Sequence, residues 1–233
     1  MEAPRQILEM LRPVAEALGD DMLQHVAFVG GSTTALLITD PITRKAVRFT
    51  EDVDLIVRVN GFAHWWQWQR KLLARGFTQH MEDEIICRMR LGAIKVDFMP
   101  DDEKILGFAN RWYRSALAHA QPCRLDERVT INLLSPVYFI ATKLEAWRGR
   151  GNNDPMSSHD LEDIVNLVDG RKELANEIMA ASLDVRRYIA EEFQSLLKHP
   201  DFDYVVHGNL QDINRIDLFY ERWEQIAVLG ATG

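Results

Sequence analysis

Apolar residues recur along the first part of the chain with two different spacings. Spacings of three and four, which indicate amphipathic helices, cover residues 7–18, 33–38, 62–75 and 104–119. Short apolar or alternating runs, which indicate strands, cover residues 25–29, 52–58, 85–90, 93–99 and 124–133, with a further piece around Phe77. Gly19 is expected to end the first helix, and residues 39–48 are polar and predict a connector. This part is therefore expected to be a mixed β-sheet flanked by helices.

The second part of the chain shows helical spacing alone. Helices are predicted at residues 136–147, 160–168, 172–180, 185–197 and 211–229, and no strand is expected after Ser135. The combination predicts an α+β fold, with a mixed-sheet domain at residues 1–133 followed by a helical bundle at residues 134–233.

Composition and charge exclude several classes of protein. The 233 residues are 47% apolar, as in a globular chain, and their net charge of −8 means that a nucleic-acid partner would need a local basic patch. Cys87 and Cys123 have neither CxxC spacing nor zinc-finger partners, which disfavours a disulfide scaffold or a structural zinc. The first residues lack the apolar core of a signal peptide, and no apolar run approaches the roughly 20 residues of a membrane span. We expect a cytoplasmic protein with no membrane partner.

A glycine turn between a predicted strand and a predicted helix is the first candidate site. Gly30, Gly31 and Ser32 follow the apolar run 25–29. Glycines let the backbone approach a ligand closely, and the N–H groups at the start of a helix favour phosphate. Ser32 adds a hydroxyl that can donate to such a ligand or cap the following helix. Such turns are structural in most proteins, so its importance depends on what accompanies it.

Three acids on predicted strands form the second candidate site. Asp52 and Asp54 are two residues apart, so their carboxylates share one face of the strand. Adjacent carboxylates repel each other unless a cation joins them, and oxygen ligands of this kind suit magnesium or manganese. Asp97 lies in another predicted strand and is expected to be a third ligand, or to orient or deprotonate an attacking hydroxyl. The alternative interpretation of Asp97 is an ion pair with Arg88 or Lys95.

The order of these pieces resembles the polymerase-β-type nucleotidyltransferase superfamily, in which a glycine turn precedes an acidic pair and a third acid on a neighbouring strand. The matching residues are Gly30, Gly31, Ser32, Asp52, Asp54 and Asp97. The resemblance implies an enzyme that transfers an NMP from an NTP to an acceptor hydroxyl and releases pyrophosphate. It implies that Asp52 and Asp54 bind two Mg²⁺ ions (or Mn²⁺), that Asp97 binds the catalytic one, and that the turn with Ser32 cradles the triphosphate.

The helical part is similar to the AbiEii/MenT-type nucleotidyltransferases, which include toxins of toxin–antitoxin systems. Lys143 matches the lysine of that family's K-L-x-A helix, and the resemblance implies that it binds the triphosphate. Asp160 matches the acid of the later R/K-D-x-x-D helix, although His159 replaces the usual basic residue and leaves Asp163 as an alternative. The resemblance further implies an RNA acceptor, a tRNA 3′ end, and an antitoxin protein as partner.

Other functions remain open at this point. Aminoglycoside nucleotidyltransferases also carry a glycine pair and an acidic pair, although they usually have a tryptophan after the glycines, where this chain has Ser32, Thr33 and Thr34. A protein acceptor and a non-catalytic nucleotide-binding module are further alternatives. All three acids are present, which favours catalysis over the binding module.

Two more groups of residues have both a structural and a functional interpretation. Arg44, Lys45 and Arg48 precede the acidic pair and either bind phosphate, with Arg48 contacting the nucleotide, or form a solvated loop. Trp65 and Trp68 share one face of a predicted helix, so we expect them to pack in the core rather than to stack on bases.

Overall fold

A computed structural model describes residues 5–83, 85–150 and 154–231. The strands within these residues are β1 Val26–Val29, β2 Asp52–Val57, β3 Arg88–Leu91, β4 Ile94–Pro100, β5 Gln121–Arg124 and β6 Thr130–Leu133. The helices are α1 Arg5–Leu23, α2 Thr34–Leu37, α3 Pro41–Ala46, α4 Gly61–Ala74, α5 Glu103–Leu106, α6 Tyr113–Ala118, α7 Pro136–Arg150, α8 His159–Gly170, α9 Leu174–Met179, α10 Leu183–Leu197, α11 Phe202–Asn209 and α12 Ile216–Ala227. Four short 3₁₀ segments complete the described elements, of which Gly31–Thr33 matters for the site.

The six strands form one mixed sheet in the order β3-β4-β2-β1-β6-β5. The central strand β2 pairs antiparallel with β1 and parallel with β4, and β1 pairs parallel with β6. Two antiparallel hairpins, β3–β4 and β5–β6, form the edges of the sheet. The predicted fold class, a mixed sheet flanked by helices and followed by a helical region, is confirmed.

Contacts between residues divide the chain into two compact units, which we call the sheet unit and the helical unit. The sheet unit comprises the chain up to Thr33 together with Arg48–Ser135, and the helical unit comprises Thr34–Val47 together with the chain from Pro136 onward. The helical unit is therefore built from two separate stretches of sequence, of which the shorter contains α2 and α3.

Alternation along β2 separates the core of the sheet unit from its polar face. Val53 and Leu55 are fully buried, whereas the intervening Asp52 and Asp54 are half-buried on the other face. Trp65 and Trp68 on α4 are 5% and 4% exposed, which confirms the prediction that they pack in the core. The acidic pair thus lies on the polar face of a strand whose opposite, apolar face is buried in the core.

Aromatic packing forms the core of the helical unit. The indole of Trp223 on α12 stacks on the ring of Phe193 on α10, with ring centroids 4.0 Å apart, and its Nε1 donates to the Phe193 carbonyl at 3.1 Å. Phe202 and Phe219 pack against the same indole. In the described part of the chain no strand follows Leu133, and no helix there is long and apolar enough to cross a membrane.

One element lies in the segment predicted to be a polar connector. Residues 41–46 form α3, because the Asp40 side chain accepts hydrogen bonds from the backbone N–H groups of Ile42 and Thr43 and Pro41 occupies the first helical turn. The prediction of a connector at residues 39–48 was therefore wrong for residues 41–46. Asp40 followed by Pro41 is a sequence pattern that indicates the start of a helix, but the helix is too short to show apolar periodicity.

Other elements differ from the prediction in their boundaries. The helix predicted at 104–119 is two short helices, because Gly107 adopts φ +79° and its N–H closes α5 onto the Glu103 carbonyl. The extended segment predicted at 124–133 is the β5–β6 hairpin. Residues 202–209, where no element was predicted, form α11. Gly19, at φ +63° and ψ 166°, is non-helical and ends the first stretch of α1 as predicted, and a second helical stretch follows it to Leu23.

Candidate active site

The register of the sheet places three carboxylates on one face of adjacent strands. Asp52 and Asp54 are two residues apart on β2, and the parallel pairing of β2 with β4 sets Asp97 directly beside Asp54. Asp97 is 6% exposed. The structure therefore brings together the three acids that the sequence singled out.

The glycine turn meets this acidic face at Asp54. Antiparallel pairing sets Val29, the last residue of β1, opposite Asp54, and Gly30 follows at φ +81°. A Cβ atom added to Gly30 would lie only 1.8 Å from Asp54 Oδ2, so any other residue would collide with the carboxylate. Both the backbone conformation and the lack of a side chain at position 30 are needed for this contact.

Ser32 lies in the 3₁₀ turn Gly31–Thr33, and its hydroxyl is buried. Its residue is 4% exposed, and its buried Oγ has no hydrogen-bond partner in the described part of the protein. The prediction that Ser32 caps the next helix was wrong; the local hydroxyl bond is made by Thr33, whose Oγ1 donates to the Gly30 carbonyl at 2.9 Å. A buried hydroxyl without a partner costs free energy, and a phosphate oxygen would satisfy it.

Arg48 lies over the second glycine of the turn. A Cβ atom on Gly31 would be 3.0 Å from Arg48 Nη2 and 2.7 Å from Thr50 Cγ2. The structure therefore places the Arg48 guanidinium beside the glycine turn. Arg44 and Lys45, by contrast, occupy the last turn of α3 in the helical unit.

Arg88 on β3 completes the acidic face with a positive charge. Its Nε and Nη2 donate to Asp97 Oδ1 and Oδ2 at 2.7 and 2.8 Å, and Nη2 is also 3.3 Å from Asp52 Oδ2. These hydrogen bonds to Asp97, outweighing burial, raise the pKa of Arg88 above its ordinary value. The alternative interpretation of Asp97 as an ion-pair partner of Arg88 is thus correct, whereas Lys95 contacts Glu51 at 3.4 Å.

The three carboxylates are of the type that binds divalent metal ions, but two of them, Asp52 and Asp97, are paired with Arg88. Three carboxylates on one face supply the hard oxygen ligands that Mg²⁺ or Mn²⁺ prefers. Within residues 5–83, 85–150 and 154–231, however, no group of three His, Cys, Asp or Glu side chains is arranged to hold a metal ion. The positive charge beside Asp97 and Asp52 is instead that of Arg88.

In the helical unit, Lys143 forms a buried cluster with both predicted acids. Lys143 Nζ lies 2.6 Å from Asp163 Oδ2 and 3.1 Å from Asp160 Oδ1, and Thr34 Oγ1 donates to Asp163 Oδ1 at 3.1 Å. Burial alone lowers the pKa of Lys143, but attraction to Asp163 and Asp160 outweighs it, so the pKa is raised. Asp163 is fully buried, and both acids are partners of the lysine.

Two other features contain none of the predicted site residues. A cleft of about 450 Å³ in the helical unit is lined by Trp147, Arg148, Glu192, Ser195, Leu196 and His199. Cys87 is buried beside the acidic face, and burial, with a smaller effect from Asp97, raises its pKa to about 12. Its thiol therefore stays protonated at neutral pH and is a poor nucleophile.

Comparison with known proteins finds similarity only among solved structures. No protein-family model matches the sequence, and no curated protein matches it. The structure of JHP933 from Helicobacter pylori is 14% identical over 99% of this chain and 92% of that chain, with a TM-score of 0.46. A second structure, provisionally described as a nucleotidyltransferase from H. pylori, is 14% identical over 98% of this chain and 94% of that chain, with a TM-score of 0.46. At this identity and TM-score the similarity carries no argument about activity.

Proposed function

We propose that this protein is a magnesium-dependent nucleotidyltransferase of the polymerase-β type, which transfers an NMP from an NTP to an acceptor hydroxyl. The observation that carries the proposal is the contact between the glycine turn and the acidic pair, where a Cβ on Gly30 would lie 1.8 Å from Asp54 Oδ2. A turn that offers backbone N–H groups favours phosphate, and adjacent carboxylates favour a cation. Nucleotide triphosphates bound to magnesium combine these two requirements.

Each candidate site residue in the sheet unit has a defined role in this proposal. Asp52, Asp54 and Asp97 would hold two Mg²⁺ ions, which supply neutralisation of the phosphate charge that builds up during transfer. The turn and the unpartnered hydroxyl of Ser32 donate hydrogen bonds to phosphate oxygens. Arg48, placed over Gly31, offsets the negative charge of the triphosphate. Asp97 also accepts the proton of the attacking hydroxyl.

Lys143 and Asp160 are proposed to belong to the nucleotide-binding site because of the family resemblance. The resemblance implies that Lys143 binds the triphosphate and that Asp160 is the acid of the later helix. The Lys143 ammonium already has two carboxylate partners, of which Asp163 is fully buried and Asp160 has a side chain 12% exposed. Lys143 would therefore exchange Asp160 for phosphate while Asp163 remains its fixed partner.

We propose that the acceptor is RNA, for which the family resemblance implies a tRNA 3′ end, and α4 supports an RNA acceptor because it offers a local basic and aromatic surface. Phe62 and Trp66, one turn apart, are 56% and 68% exposed. Arg70 and Lys71 follow them on the same helix, and α4 contains no acid. Exposed rings stack on bases and cations contact phosphates, so this surface suits a single strand of RNA despite the net charge of −8. An antitoxin partner and a cytoplasmic setting complete the proposal.

The test is transfer of label from each α-labelled NTP to total tRNA in the presence of magnesium. Asp54→Asn keeps the size of the side chain beside Gly30 but removes a charge, and Asp217→Asn, on the exposed side of α12, is the matched control. We expect label on tRNA with the wild type and Asp217→Asn, and at least about a hundredfold less with Asp54→Asn, as for loss of several kcal/mol of transition-state stabilisation.

Other results would redirect or overturn the proposal. Label on the protein itself would indicate a protein acceptor, and label only on an added aminoglycoside would indicate a small-molecule acceptor. Full activity of Asp54→Asn would contradict the assignment of the site. Trp66→Ala is expected to reduce transfer to tRNA without changing NTP binding. If this variant transferred label to tRNA as well as the wild type does, α4 would not be part of the acceptor surface.

A further inference from the structure

Arg88 makes an unusual set of contacts for a residue inside a proposed metal site. Antiparallel pairing of β3 with β4 sets Arg88 directly opposite Asp97, and its guanidinium engages both oxygens of that carboxylate. The same guanidinium reaches Asp52 Oδ2 at 3.3 Å. One cation on the edge hairpin therefore joins the acid of β4 to the first acid of β2.

The pair is shielded from solvent and has favourable geometry. The side chains of Arg88 and Asp97 are 13% and 9% exposed. Two parallel N–H···O bonds from an arginine to one carboxylate form the strongest common type of charge-assisted pair, and low exposure reduces screening by salt. A divalent cation approaching the same oxygens would meet a fixed positive charge at close range, which opposes its binding.

The neighbouring cations of the same hairpin do not share this role. Arg90, two residues further along β3, forms its own bidentate pair with Asp83 at 2.6 and 2.9 Å. Lys95 on β4 contacts the exposed Glu51. Among the basic residues of β3 and β4, Arg88 is thus the one whose partners are the proposed metal ligands.

We propose that Arg88 is a built-in counter-cation that holds Asp97 and Asp52 together in the metal-free protein and that a divalent metal must displace from Asp97. The inference rests on the proposed function, since it concerns the ligands of the same metal. Arg88 is a positioning residue in this role: it prevents the acids from repelling one another and makes the metal-free site unreceptive to cations at low concentration. Displacement leaves the guanidinium beside the site, where phosphate is an alternative partner.

The inference is tested by titrating the metal-free, full-length protein with Mn²⁺ alone and measuring free Mn²⁺ by electron paramagnetic resonance. Arg88→Gln removes the counter-cation, and Arg90→Gln, which removes a bidentate arginine from the same strand but not from the acids, is the matched control. We expect the Mn²⁺ dissociation constant of Arg88→Gln to fall about tenfold below that of the wild type, which corresponds to about 1.4 kcal/mol, and Arg90→Gln to match the wild type.

Arg88→Lys is a second variant, which keeps the test informative if Arg88→Gln does not fold. It retains the charge but not the bidentate geometry, so its affinity should lie between those of the wild type and Arg88→Gln. Equal or weaker Mn²⁺ binding by folded Arg88→Gln, while the wild type binds Mn²⁺, would overturn the role of Arg88 and leave the proposed function standing. No Mn²⁺ binding by any variant would overturn both.

Discussion

Glycine at position 30 fixes how closely the glycine turn approaches the acidic pair. Its φ of +81° and the 1.8 Å that would separate an added Cβ atom from Asp54 Oδ2 are separate constraints, because the first concerns the backbone and the second concerns its neighbour. Gly61, at φ +78° with nothing within 4 Å of its Cβ position, carries only the first constraint. The two positions therefore separate backbone strain from steric contact with the site.

We expect Gly30→Ala to destabilise the protein more than Gly61→Ala and to abolish transfer. Gly61→Ala should lose about 1–2 kcal/mol of unfolding free energy through its positive φ. Gly30→Ala should lose about 1–3 kcal/mol more, because Asp54 must move away from the added methyl group. Urea unfolding of both variants measures the difference, and equal losses would show that the contact with Asp54 does not constrain position 30.

At this scale the sequence predicted which residues assemble, but it left open whether Asp97 is a metal ligand or the ion-pair partner of Arg88 or Lys95. The strand periodicity placed Asp52 and Asp54 on one face, and their alternation with Val53 and Leu55 is sufficient for that. The pairing of Asp97 with Arg88 depends on the register of two hairpin strands, which periodicity does not determine. The unpartnered hydroxyl of Ser32 depends on a 3₁₀ turn in place of the predicted helix cap.

Helices α7 and α8 are joined by the buried cluster of Lys143, Asp160 and Asp163. Asp163 lies fully inside the helical unit, and its charge is balanced by the Lys143 ammonium 2.6 Å away. Removing one member of a buried pair leaves an uncompensated charge, which costs more than the pair contributes. The cluster therefore has a structural function in addition to any role in binding phosphate.

Lys143→Met is expected to lose about 3–5 kcal/mol of unfolding free energy at pH 7, as for other broken buried pairs. Lys172→Met, at a side chain that is 77% exposed, should lose almost none. Adding Asp163→Asn to Lys143→Met should restore part of the loss. If Lys143→Met were as stable as the Lys172 control, Asp163 would not depend on the lysine.

The contribution of Lys143 also has a defined pH dependence. Because its pKa in the folded protein is raised above 10.5, the stabilisation is fully present below pH 10.5 and is lost as the pH rises through the folded-state value. The difference in unfolding free energy between the wild type and Lys143→Met should therefore not fall as the pH rises to about 10, and it should narrow above that pH. A difference that fell between about pH 6 and 8 would contradict this assignment.

The elements themselves were predictable where apolar periodicity was long enough. Strands β2 and β4 and helices α1, α4 and α10 each show it over most of their length, and β1 is a continuous apolar run. Helix α3 depends on a cap and a proline rather than on periodicity, and α5 and α6 are separated by the conformation of Gly107. Local chemistry of this kind is present in the sequence but lies outside an apolar pattern.

At the scale of the whole molecule, the grouping of residues 34–47 with the distant helices was not visible in the sequence. Thr43 Oγ1 donates to the buried Asp169 at 2.6 Å, and Arg215 contacts both Asp169 and Asp40. Thr43 and Asp169 are 126 residues apart, a separation at which local pattern carries no signal. The same segment follows the glycine turn directly in the chain, so the helical unit begins immediately after Thr33.

The central claim is that the glycine turn and the three acids form one site for a nucleotide and its metal. Equilibrium binding of a non-transferable NTP analogue, measured by calorimetry with and without magnesium, tests it most directly. We predict binding that requires magnesium, is lost in Asp54→Asn and is weakened about tenfold in Ser32→Ala, as for loss of one hydrogen bond to a charged group. Binding that is indifferent to both magnesium and Asp54→Asn, or no binding by the wild type, would contradict the claim.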